Sequence, residues 1–178
     1  METIRNILDR KILVLDGAMG TMIQQRKFAE EDFRGSRFAR HACKIAGCND
    51  ALCLTQPDAI ADIHRQYIEA GADIISTNSF NANAISLSDY GLEHCVAEIN
   101  LAAARIARQA ADQSDRKVWV AGSVGPSNKS LLMSRQLGQS WGEEAWDALC
   151  DTYTEQMAAL IEGGADIILL ETHYDPLN

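Results

Sequence analysis

One eleven-residue phrase occurs twice in this chain, as IEAGADIISTN over residues 68–78 and as IEGGADIILLE over residues 161–171. In each copy the end of a helix meets a glycine, Gly71 or Gly164, and an apolar strand follows. Glycine stops a helix there because it enters the left-handed region without a Cβ clash. A chain built on repeated helix-to-strand units folds as an open doubly wound parallel sheet or as a (β/α)8 barrel. In the same register Asn78 matches Glu171, so the two copies carry polar groups at equivalent strand ends.

The remaining elements follow from pattern. Residues 11–15 (KILVL) form an apolar run without polar alternation, which predicts a first strand covered on both faces. Thr55 reads as an N-cap with Pro57 in the first turn and Asp58 three residues on, opening a helix whose apolar face carries Ile60, Ile63, Tyr67 and Ile68. Residues 72–77 are strand two. A helix with Val96, Ile99, Ala103 and Ile106 on one face leads to strand three at residues 118–121. Ser140 and Glu143 read as a capping box opening a helix with an inner stripe of Trp146, Leu149, Tyr153, Met157 and Leu160. Strand four is residues 165–170. This βαβαβαβ order requires parallel strands. A whole barrel takes about 250 residues, so the 178 present read as its N-terminal half, one partial barrel domain over 1–178. Residues 22–54 form a loop far longer than the usual connection after a strand.

Composition narrows the function. A net charge of −9 and a pI near 4.8 disfavour nucleic acid phosphates and anionic membrane surfaces, and favour a small-molecule partner. No basic and apolar leader opens the sequence and no apolar run is long enough to cross a bilayer, so a cytoplasmic location is expected. Five cysteines at irregular spacing suit reduced thiols. Cys43, Cys48 and Cys53 do not have zinc-ribbon spacing, and Cys95 and Cys150 fall in helices, so no metal site is assigned among them.

Chemistry concentrates at the carboxyl ends of the four strands, where both candidate folds place active sites. Asp16 and Glu171 would favour a cationic group, because a desolvated carboxylate without a cation or donors is unfavourable by several kcal/mol. The backbone amides of residues 17–20 offer a concavity for an anion. Together they describe a pocket for an amino acid. In the alternative, Asp16 caps its own glycine turn and Glu171 pairs with a basic loop residue. His41, His64 and His94 are expected to be solvated or locally bonded. His173 shares strand parity with Glu171 and is a further candidate.

At these residues the sequence resembles a known family. Residues 12–24 (ILVLDGAMGTMIQ), 32–35 (DFRG), 71–80 (GADIISTNSF) and 120–128 (VAGSVGPSN) are similar to the homocysteine-binding barrel of cobalamin-dependent methionine synthase. The 32–35 loop distinguishes that group from the shorter betaine- and methylmethionine-homocysteine methyltransferases. The resemblance implies that Asp16, Gly17, Ala18 and Glu171 hold the amino acid part of homocysteine, with Asn78 and Ser123 on matching strand ends. It further implies zinc held by three cysteines that include an adjacent pair. This chain has no Cys-Cys pair, so the zinc ligands are expected beyond it and the isolated chain is expected to be inactive. Methylcobalamin, methyltetrahydrofolate and reactivation modules are likewise expected downstream. Residues 131–140 depart from the family's usual segment after strand three. The implied activity is methylation of homocysteine to methionine. The rivals are a cobalamin-independent homocysteine methyltransferase and an inactive half-barrel that acts only as a binding or assembly module.

Overall fold

The computed structural model describes residues 3–130 and 143–175. Its helices are α1 (Ile4–Leu8), α2 (Met19–Arg26), α3 (Glu30–Arg34), α4 (Leu52–Thr55), α5 (Pro57–Glu69), α6 (Ala84–Leu87), α7 (Val96–Asp112) and α8 (Glu143–Glu162). Three parallel strands, β1 (Ile74–Ser76), β2 (Trp119–Val124) and β3 (Ile167–Leu170), pair in chain order, with Ile74 opposite Trp119 and Ala121 opposite Ile167. The result is the first half of a (β/α)8 barrel, with α5, α7 and α8 each leading into a strand. Ile60, Ile63, Ile99 and Leu160 are fully buried, and burial of a side chain of that size contributes about 1.5 to 3 kcal/mol.

The repeated phrase produces the same local structure twice. Gly71 and Gly164 have φ of 108° and 103°. The next amide closes the helix end, Ala72 N–H donating to Tyr67 O and Ala165 N–H to Leu160 O, each at 3.0 Å. The aspartate that follows then clamps the preceding strand. Asp73 N–H donates to Val14 O while its carboxylate accepts from Val14 N–H; Asp166 does the same with Val120. A basic residue closes each clamp, Lys11 on Asp73 at 2.6 Å and Arg108 on Asp166 at 2.9 Å. The shared aspartate therefore sets the register of its own strand against its neighbour.

Several expectations are corrected. Residues 11–15 do lie beside β1, but as a single parallel bridge, Leu15 to Ile74, rather than a ladder. They are not covered on both faces: Ile12 is 87 % exposed and Val14 55 %, because this segment is the edge of the sheet and helices reach only its neighbours. The N-cap of α5 is Gln56, without a side-chain cap, and Thr55 instead ends α4 with its hydroxyl donating to Ala51 O. Trp146 is 51 % exposed and lies outside the inner stripe, which Leu149 and Leu160 fill. His64 is neither solvated nor locally bonded; it is fully buried in α5, and neither ring nitrogen has a hydrogen-bond partner among the described residues. The proposed capping residue Ser140 lies outside the described residues, as does the whole of residues 131–140.

The long loop is held by its own motif. Asp32 accepts from Ala29 N–H, Phe33 is buried, and Arg34 binds Glu30 and donates to Phe38 O, His41 O and Cys43 O. Gly35 adopts φ 48° with Thr55 Cβ only 3.1 Å from where its own Cβ would stand. Residues 32–35 thus organise the connection that delivers residues 49–53 to the sheet.

Candidate active site

The carboxyl ends of the strands open into a cleft of about 560 Å³ lined by Asp16, Gly17, Ala18, Asn49, Asp50, Asn78, Ser123 and Glu171, among others. All six residues implied by the resemblance line it. Two carboxylates from opposite ends of the half-barrel converge there. Asp16 follows the edge segment, and its carboxylate accepts from Ser76 N–H at 2.8 Å and from Ser76 Oγ at 2.9 Å. Burial pushes its pKa up to about 6, and the charge of Glu171 adds to that rise, outweighing the bonds from Ser76. Glu171 follows β3 and accepts from Ser123 Oγ at 2.6 Å. Neither acid meets a basic side chain among the described residues, and the Asp16 carboxylate is bonded across to Ser76.

Directly after Asp16, residues 17–20 line the same cleft and pass into α2. The first amides of a helix have no intrahelical acceptor and carry the positive end of its dipole. Space at position 17 is tight, since a Cβ there would stand 3.0 Å from the Tyr67 ring, which would have to shift to accept it. Charge-favouring poles of both signs therefore line one cleft, as a zwitterion requires.

The other candidates divide. Asn78 is buried, and its amide donates to Asn49 O at 2.7 Å and to Cys53 Sγ. It ties the long loop to the end of β1. Its repeat equivalent, Glu171, keeps its second carboxylate oxygen without a hydrogen-bond partner among the described residues. His173 sits beside Tyr153 and Val124 O and does not line the cleft, because Thr172 takes a left-handed φ of 62° that ends the strand's alternation. An acid in the cleft escaped sequence reasoning. Asp50, in the long loop, is 4 % exposed, accepts from Asn81 N–H at 3.0 Å, and is pushed up to about 6 by burial. Only an acid predicted inside the long loop could have signalled it, and loop acids are usually solvated.

The residues present do not fit zinc. Among the described residues no three His, Cys, Asp or Glu side chains are placed to hold a metal ion. Cys48 and Cys53 lie in the core, where burial and the Asp50 charge push Cys48 up to about 12 and Cys53 higher still. Such thiols stay protonated, whereas zinc takes thiolate.

Among solved structures, the chain is similar to the homocysteine methyltransferase MmuM from Escherichia coli. The metallated form matches with a TM-score of 0.68 and 24 % identity over 96 % of this chain and 57 % of that one. The oxidized form matches with a TM-score of 0.66 and 25 % identity over 92 % and 54 %. The chain thus spans a little over half the length of these proteins. No helix among the described residues is long and apolar enough to cross a membrane. A family model described as Homocysteine S-methyltransferase matches residues 13–178, and the chain belongs to that family.

Proposed function

We propose that this chain is the homocysteine-positioning part of a cobalamin-dependent methionine synthase. In the reaction the substrate sulfur forms a bond to a methyl carbon as that carbon's bond to its donor breaks, and the thiol proton leaves. The residues here act on the other end of the substrate. Asp16 and Glu171 accept the α-ammonium, and the amides at the start of α2, through Gly17 and Ala18, receive the carboxylate. Fixing both poles orients the sulfur, and orientation of a reacting group supplies a large part of catalysis. The observation that carries this reading is the pair of carboxylates that follow the two outer segments of the sheet into one cleft, where the Glu171 charge acts on Asp16 and neither acid has a basic partner among the described residues. The organised 32–35 loop supports the cobalamin-dependent branch. On this reading zinc, methylcobalamin and methyltetrahydrofolate are bound by sequence outside these residues, and the protein works in the cytoplasm.

The test is calorimetric titration with homocysteine and with deaminohomocysteine, the same thiol acid without its ammonium. Asp16→Asn and Glu171→Gln should each weaken homocysteine by about 2 to 5 kcal/mol, the range for leaving one member of a desolvated charge pair alone. The deamino compound should bind the variants and the parent alike. Unchanged homocysteine affinity in both variants would remove the anchor role.

A further inference from the structure

Three hydroxyl residues lining the cleft form a network whose proton directions can be worked out. Ser79 Oγ donates to Ser123 O at 2.7 Å, which uses its single proton. In the 2.6 Å contact between Thr77 Oγ1 and Ser79 Oγ, Thr77 must then be the donor. Thr77 Oγ1 in turn accepts from Ser123 N–H at 2.9 Å. The path returns to Ser123, so the ring is closed and runs one way. All three residues are buried, at 3 % exposure or less. Ser123 leaves the ring by its own hydroxyl, which donates to Glu171 Oε1 at 2.6 Å. That bond commits Oε1 as an acceptor and leaves Oε2 without a hydrogen-bond partner among the described residues.

We infer that the Thr77, Ser79 and Ser123 ring is a positioning device for Glu171, holding one carboxylate oxygen so that the other receives the substrate ammonium. Ser123 thereby acts through Glu171 rather than as a direct ligand. The inference rests on the homocysteine reading above. A hydrogen bond to a charged group is among the stronger ones, and a buried network of this kind specifies one arrangement.

The test uses the same two ligands. Ser123→Ala and Thr77→Val should each lower homocysteine affinity about ten-fold and leave deaminohomocysteine affinity unchanged, while Thr77→Ser, which keeps the hydroxyl, restores parent behaviour. Placed on a Glu171→Gln background, Ser123→Ala should have no further effect on homocysteine. Ser123→Ala removes one oxygen and leaves the backbone bonds in place, so it remains informative if Thr77→Val does not fold. Equal loss for both ligands, or a loss that persists beside Glu171→Gln, would reduce the ring to a structural role and overturn the inference. If Glu171→Gln itself leaves the preference for homocysteine over its deamino analogue intact, the substrate reading fails, and the ring's role with it.

Discussion

Homocysteine affinity should depend on pH through Asp16. The carboxyl is raised to about 6 by burial and by Glu171, and only its ionised form attracts an ammonium. About one-tenth of the chain carries ionised Asp16 at pH 5 and about nine-tenths at pH 7, so affinity should rise about ten-fold across that interval. The substrate ammonium stays charged throughout, since amino groups titrate above it. At pH 6 binding should release about half a proton, which calorimetry detects as a dependence of the apparent heat on the buffer's ionisation enthalpy. Asp50 is raised into the same window, so Asp16→Asn is the control that assigns the effect. That variant should bind weakly and with a flat profile. A parent affinity independent of pH between 5 and 7, or a slope that survives Asp16→Asn, would refute the reasoning.

Two further outcomes concern stability. His64 has its pKa lowered to about 4 by burial; the unfolded chain binds a proton below about pH 6.5 that the folded chain refuses, so this contribution to stability is present above that pH and is lost as pH falls toward 4. His64→Leu should remove that loss, seen as a larger gain in denaturation midpoint at pH 5 than at pH 7; an equal gain at both would contradict it. Gly163→Ala would place a Cβ 2.5 Å from Ala104 Cβ and 2.9 Å from Leu101 O, forcing α7 and α8 apart, and should destabilise by about 1 to 3 kcal/mol in urea unfolding.

What the sequence determined by itself is local. The doubled phrase specifies the left-handed glycine, the helix closure and the following strand, because these depend on backbone preferences within a few residues, and it did so at Gly71 and Gly164 alike. The polar residues at the strand ends were also legible, since Asp16 and Glu171 end apolar runs that leave no other place for an acid. Only the tertiary structure decided what each polar group does. Asn78 and Glu171 occupy equivalent positions in the repeat and both line the cleft, yet one is tied to the long loop and the other keeps a carboxylate oxygen without a hydrogen-bond partner among the described residues, because different segments pack against them. Asp50 lies in the long loop, at no strand end that pattern could have marked, and reaches the cleft only when Asn81 N–H and the 32–35 turn fold the loop back. The exposure of residues 11–15 was equally hidden. An apolar run states that a strand can be covered on both faces, whereas coverage itself depends on which neighbours the rest of the fold supplies.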